Sequence, residues 1–201
     1  MLYGSIVAVV AVIAVAIYFY QRHQHTAREQ ALADAIQVQE ANVGPVNPNA
    51  PLNFPTEDAK RVAATKAFSE LAARYPGTNE AAVAKYYLGA IAAEQGKLPD
   101  AQKLFQEAAD TGDKNYASLA RFSLAEVYLS KNRKADAEKI FRDLMSHPTA
   151  LVSKDLATIE LAKSIAATNP TEAKKLLDPL RAQTGAVSQA ALGALGEQPG
   201  Q

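Results

Sequence analysis

The fold is decided by two short stretches, Leu88-Gly89-Ala90-Ile91 and Leu124-Ala125-Glu126-Val127, which correspond at a spacing of 36 residues. A second pair, Ala101–Phe105 and Ala137–Phe141, corresponds at the same spacing. Small residues let two helix backbones approach closely, and an aromatic ring fills the space that the next helix covers. The spacing therefore predicts a series of antiparallel helix pairs that stack on one another.

The composition agrees with an all-α fold and excludes several classes of protein. Of the 201 residues 48% are apolar, and 41 are alanine, which loses no side-chain entropy in a helix. Cysteine is absent, which excludes disulfides and thiolate chemistry. The 21 basic residues balance 21 acidic ones, so we expect no nucleic acid as a partner. No segment outside the amino-terminal apolar run alternates with period two, so we also expect no sheet.

Helical patterns follow one another after Thr56, whose hydroxyl is placed to cap the first of them. Gly96 and Asn132 occupy equivalent positions between two helices, and both tolerate the left-handed conformation that such a turn needs. The predicted helices are Glu57–Tyr75, Asn79–Gln95, Pro99–Asp110, Tyr116–Lys131, Lys134–Ser146, Ala150–Ala167 and Pro170–Gln183, with a short one near Val187–Leu195.

The first residues have the character of a membrane-spanning helix. In Leu2–Tyr20, 17 of 19 residues are apolar, and tyrosines lie at both ends, as in the aromatic belts of spanning helices. A cleaved signal peptide is the competing interpretation, because Ala14-Val15-Ala16 resembles a cleavage site. The residues leave the orientation open. Arg22 alone would place the following chain in the cytoplasm, whereas a basic extension before Met1 would reverse this.

The predicted order is completed by a stalk and a linker. No Gly or Pro occurs between Ser5 and Val43, so the helix can continue as a solvated stalk with a weak apolar stripe; a coiled coil is the alternative. Four prolines then predict an extended linker. The predicted segments are membrane helix, stalk, linker, repeat domain and flexible tail, at residues 1–21, 22–42, 43–55, 56–183 and 184–201.

The pattern indicates no catalytic, cofactor or metal site. His23 and His25 point to different sides of a helix and cannot chelate one ion together, and His147 precedes a proline in a loop. Neither a nucleophile elbow nor a phosphate-binding loop is present in the sequence. We therefore predict that the protein is not an enzyme and that it has no cofactor.

The repeat resembles the tetratricopeptide repeat over about residues 56–183. The matching positions are Leu88, Gly89, Ala101 and Phe105, then Leu124, Tyr128, Ala137 and Phe141, with Ala64, Phe68 and Pro76 upstream. This resemblance implies an α-solenoid that serves as a protein-binding scaffold. Its first helices line a groove, so the resemblance places the partner-binding residues at Val83, Tyr86, Ala90, Leu119, Phe122, Glu126 and Leu129. The competing interpretation is that Tyr86 and Phe122 are covered by neighbouring helices.

The whole layout is similar to that of the bacterial ancillary Sec translocon subunit, whose repeat domain resembles that of the cell division coordinator. This similarity implies a single-pass protein of the inner membrane, anchored in the lipid bilayer through residues 2–20. The amino terminus would be cytoplasmic and the repeat domain periplasmic. Translocon subunits, exported chains or chaperones are the implied partners. An envelope or cell-division adaptor is the alternative function, and the oligomeric state stays open.

Overall fold

A computed structural model describes the backbone of residues 2–45, 52–194 and 196, and the side chains of these ranges except those of residues 2–17 and 19–21. The described chain is mostly helical. Its elements, in order, are α1 (Leu2–Gln39), β1 (Asn42–Val43), β2 (Asn53–Phe54), α2 (Glu57–Arg74), α3 (Asn79–Glu94), α4 (Leu98–Thr111), α5 (Lys114–Ser130), α6 (Lys134–Ser146), α7 (Lys154–Ile165), α8 (Pro170–Arg181) and α9 (Ala186–Ala194).

The two strands correct the prediction that the chain holds no sheet. They pair in parallel, with Asn42 opposite Asn53 and Val43 opposite Phe54. The Asn53 side-chain amide donates to the carbonyl oxygens of Gly44 and Pro45, at 3.0 Å each. These bonds close the predicted linker into a loop, where proline content alone favoured an extended chain. A side-chain amide that bonds back across nine residues leaves no periodic signal in the sequence.

Helix α1 runs without interruption over 38 residues, through the predicted membrane span and into the predicted stalk. The side chains of the apolar run Leu2–Tyr20, apart from Tyr18, lie outside the described residues. Within the part of the chain whose side chains the structure describes, no helix combines the length and the apolar character needed to cross a bilayer.

The chain divides into two compact units, Met1–Pro76 and Gly77–Gln201. In the first unit, α1 packs against α2. Ala35 of α1 is 2% exposed, and Phe68 of α2 is fully buried. The predicted stalk is therefore not solvated on all sides, and the sequence prediction was wrong on this point. The weak stripe around Ala35 and Ile36 is one face of a helix pair, built like the later pairs but with a long loop between its helices.

In the second unit, consecutive helices from α3 to α9 pack against one another. Gly89 of α3 lies directly against the ring of Phe105 on α4. Ala125 of α5 and Phe141 of α6 are both fully buried in one core cluster. The predicted pairing of small residues with aromatic rings is therefore present in two successive helix pairs. In the third pair, α7 and α8, leucine replaces the aromatic residue, and Leu177 is fully buried.

The predicted helix starts lie within two residues of the observed ones except at α7, and the predicted turns agree with the structure. The Thr56 hydroxyl accepts the Ala59 N–H at 3.1 Å, and Gly96 and Asn132 have φ angles of 70° and 58°. Helix α7, however, begins at Lys154, four residues later than predicted. The Thr149 hydroxyl accepts the Val152 N–H at 3.1 Å, and this turn competes with helix for the preceding residues.

The carboxyl-terminal segment also differs from its prediction as a flexible tail. Helix α9 packs against α7 and α8, and its Ala191 is fully buried. The short helix predicted near Val187–Leu195 is thus present, and it covers the end of the stack. Alanine and glycine content alone did not reveal that one face of this helix is buried.

Asparagine side chains join successive pairs at the start of the inner helices. The Asn79 side-chain oxygen accepts the backbone N–H of Asp113 at 2.8 Å. One repeat later, the Asn115 side-chain oxygen accepts the backbone N–H of Ala150 at 3.3 Å. The buried Ser118 hydroxyl adds a 2.6 Å hydrogen bond with the Thr149 hydroxyl. These bonds satisfy loop backbone groups that would otherwise be unpaired.

The contact between Gly89 and Phe105 makes a stability prediction. A Cβ atom at Gly89 would lie 2.8 Å from two carbon atoms of the Phe105 ring, and the close packing around that ring leaves little room for it to move. We expect Gly89→Ala to lower the free energy of unfolding by about 1–3 kcal/mol, as overpacking does. Urea denaturation followed by circular dichroism measures this change.

Gly193→Ala is the matched control, because Gly193 is also helical and a Cβ atom there meets nothing within 4 Å. Alanine is favoured over glycine in a helix by about 0.5–1 kcal/mol, so this variant should be neutral or more stable. If both variants changed stability by the same amount, contact with the Phe105 ring would not be the reason for a glycine at position 89.

Candidate protein-binding groove

A cleft of about 330 Å³ lies between the inner helices α3 and α5. Three of the seven residues predicted for partner binding line it: Tyr86, Ala90 and Glu126. The other lining residues are Ala93, Glu94, Leu98, Phe105, Ser123, Val127 and Ser130. The structure therefore brings part of the predicted set together between the first helices of two successive pairs, and partner binding at this cleft stays a prediction.

Tyr86 forms the aromatic floor of this cleft. Its ring lies 5.7 Å from that of Phe105 and 6.2 Å from that of Tyr116, between ring centroids. Burial raises the pKa of the Tyr86 phenol above its usual range, although a hydrogen bond with the Ser123 side chain acts in the opposite direction. The alternative interpretation was that neighbouring helices cover Tyr86. Tyr86 is half-buried, so they cover only part of it.

The remaining predicted residues contribute less to an open surface. Val83 is 1% exposed and belongs to the core, so its prediction as a partner-contact residue was wrong. Phe122 is half-buried and packs edge-on against Phe141, with 5.5 Å between ring centroids. Leu119 and Leu129 are likewise half-buried against the core of the later helices. The sequence mapping found the correct helices but could not tell groove from core on each of them.

Two carboxylates lie at the rim of the cleft. Partial burial raises the pKa of the Glu126 carboxyl; the negative charge of Glu160 raises it further, and Lys163 opposes both. Glu126 nevertheless keeps an exposed surface, so water screens part of these effects. Glu94 is the exposed last residue of α3.

Sequence reasoning missed Glu94, Ser123 and Ser130 as cleft residues. Glu94 follows Ala90 by four positions, so helical spacing places the two on one face. Ser130 lies 36 residues after Glu94 and is its repeat equivalent. The sequence mapping was anchored on Leu88 and Leu124 and did not extend as far as Glu94 on the first of these helices or Ser130 on the second.

The described side chains form no group of three histidine, aspartate or glutamate residues that could hold a metal ion. His25 lies 3.2 Å from Glu29, and His147 lies 3.1 Å from Asp143, each within its own helix or at its end. The prediction that the protein has no metal site and is not an enzyme stays a prediction.

Residues 2–143 match the family model of the tetratricopeptide repeat-like domain. The chain belongs to this family. The match begins in α1 and ends within α6, so it includes the first helix pair, which the sequence resemblance had left half outside the repeat region. No curated protein and no solved structure matches the chain.

Membership in this family assigns the repeat region a role in protein interaction, because stacked helix pairs form extended surfaces and such domains are typically binding scaffolds. It does not identify the partner, since one scaffold serves many functions.

The raised pKa of Glu126 predicts how stability depends on pH. The folded chain holds this proton more tightly than the unfolded chain, so stability falls as the pH rises through the raised pKa. We expect Glu126→Gln to be more stable than the parent chain near neutral pH, by roughly 0.2–0.5 kcal/mol after solvent screening. Below the usual range of a glutamate pKa the difference should vanish.

Thermal unfolding at both pH values measures this effect, and Glu107→Gln is the contrasting variant. The Glu107 carboxylate lies 2.9 Å from the Lys85 ammonium, so its loss should lower stability near neutral pH. A Glu126→Gln variant less stable than the parent chain near neutral pH would contradict the assignment of an unfavourable, partly buried charge.

Proposed function

We propose that the protein is a membrane-anchored interaction scaffold of the inner membrane, an ancillary subunit beside the Sec translocon. Its repeat domain would lie in the periplasm and contact exported chains or periplasmic chaperones. The observation that carries the proposal is the cleft between α3 and α5, which has an aromatic floor and lies in a family of binding scaffolds.

The anchor is supported by the amino-terminal sequence. Leu2–Tyr20 holds 17 apolar residues among 19, and α1 covers this run within one helix of 38 residues. A helix rises about 1.5 Å per residue, so 19 residues reach about 28 Å, close to the hydrocarbon thickness of a bilayer. The membrane helix at residues 1–21 and the repeat domain at residues 56–183 belong to the same proposal.

The mechanism is tethering. An anchor holds the cleft close to a membrane-embedded partner, and the second encounter then occurs at a high effective concentration. A weak contact with a passing chain is sufficient under these conditions, which fits a cleft that is open and only partly apolar.

The proposed topology predicts a protease result. The full chain with a carboxyl-terminal epitope should sediment with membranes after alkaline extraction. Protease added to spheroplasts should then remove the epitope, while a cytoplasmic marker survives. Survival of the epitope until the inner membrane is lysed would place the repeat domain in the cytoplasm and overturn the export role.

Site-specific photocross-linking tests the partner. Ser130 is exposed at the cleft, whereas Lys103 is exposed on α4, the outer helix of the preceding pair. We expect a photoreactive residue at position 130, and not at position 103, to form adducts with translocon subunits, exported chains or chaperones. Adducts with septal or envelope proteins instead would favour the alternative adaptor function, and equal labelling from both positions would argue against the groove.

A further inference from the structure

We propose that the cleft between α3 and α5 binds a segment of a partner protein in which an apolar side chain is adjacent to a lysine or arginine. The apolar side chain would contact the floor at Tyr86, and the cation would lie between Glu94 and Glu126. This inference rests on the proposed function, since it specifies the chemistry of the segment that the groove accepts.

The apolar half of the recognition comes from the floor of the cleft. The small side chains of Ala90 and Ala93 line the cleft together with the half-buried ring of Tyr86, which packs against the buried ring of Phe105. A cleft of about 330 Å³ has room for side chains of a peptide, although not for a folded element. Burial of an apolar side chain there gains roughly 25 cal/mol per Å² of surface removed from water.

The cationic half comes from carboxylates that this chain leaves without an ion pair. Neither Glu94 nor Glu126 forms a salt bridge within the described residues, although both line the cleft. Several other acids of the same unit are paired, although Asp100 and Asp110 on α4 also form no salt bridge within the described residues. Those that lie 2.6–2.9 Å from a lysine or arginine include Glu107, Glu138, Asp143, Glu160 and Glu172.

The positions of the two carboxylates are locally unfavourable. Glu94 ends α3, where the helix dipole repels a negative charge. Glu126 faces Glu160 across to α7, and Lys163, which would offset it, lies 2.6 Å from Glu160. A cation supplied by a partner would relieve both, so the charge of the cleft is complementary to a basic segment.

Two other clefts among the described residues do not offer this combination. A cleft of about 370 Å³ on the outer side of the stack contains Arg121 and Asp143, whose charges already meet at 2.8 Å. A cleft of about 460 Å³ in the first unit is lined by the end of α1 and by Leu52, next to residues outside the described range. The α3–α5 cleft joins an aromatic floor to unpaired charge.

The test uses the full chain and three short fluorescent peptides of equal length. One alternates leucine with lysine, the second leucine with glutamate, and the third serine with lysine. We expect fluorescence anisotropy to show binding of the first peptide, with at least about tenfold weaker binding of the other two, because each lacks half of the recognition. Raising the salt concentration to about 0.5 M should weaken binding of the first peptide.

Three variants and a matched control test whether the peptide binds at this cleft. Glu94→Gln and Glu126→Gln should each weaken binding of the leucine–lysine peptide by about threefold to tenfold, the scale of a partly exposed charge pair. Asp100→Asn removes the same charge from an exposed position outside the cleft and should change binding by less than about twofold. Ala90→Leu should weaken binding of the same peptide by filling the cleft. Thermal unfolding verifies that each variant is folded.

The outcomes separate this inference from the proposed function. Equal effects of the three acid variants would indicate attraction to net charge alone and overturn the inference. The inference also fails if only self-association of the chain changes, since a second copy would then occupy the cleft. If the photoreactive residue at position 130 forms specific adducts with export partners while both glutamate variants bind the peptide normally, the proposed function stands and the inference fails. If it forms no such adducts, both the proposed function and the inference fail.

Discussion

The contact between a small residue on an inner helix and a ring on the following outer helix determines the distance between the helices of a pair. At Gly89 the ring of Phe105 leaves no room for even a methyl group, and at Ala125 the equivalent space accepts one. Each helix pair packs only against the pairs beside it, so the distance between its two helices also fixes where the next pair can pack. The cleft between α3 and α5 is a consequence of this spacing, since its wall includes Phe105 itself.

The sequence predicted those features that depend on local chemistry or on the repeat. Caps such as Thr56, the turn at Asn132 and the order of the helices follow from the conformational preferences of individual residues. The failures have different causes. Asn53 bonds to a carbonyl group nine residues back in the chain, which no local pattern shows. Thr149 and Ser153 each accept an N–H three residues further on, so two local caps compete for the start of α7. The burial of Val83 was missed because helical spacing tells which residues share a face and not what covers that face.

The charged residues of the second unit differ in whether they form ion pairs. Glu138 and Glu172, both on outer helices, pair with Arg142, and the bond to Glu172 joins α6 to α8. The glutamates of the inner cleft do not take part in such pairs, and burial raises the pKa of one of them. Departures from local preference are expected at functional positions, and the two glutamates of the cleft combine unpaired charge with an aromatic surface.

The asparagine bonds at the start of α3 and α5 restrain one edge of the stack more than the other. Asn79 and Asn115 hold the loops at one edge, where any change in helix separation must stretch hydrogen bonds. At the opposite edge of the cleft, Glu94 and Ser130 make no bond to each other within the described residues, and the Ser130 hydroxyl donates to the carbonyl of its own helix at Glu126. The two edges of the cleft therefore differ in restraint. A side chain that separates α3 from α5 at the Glu94 edge breaks no bond between Glu94 and Ser130, whereas separation at the asparagine edge breaks the bond from Asp113 to Asn79.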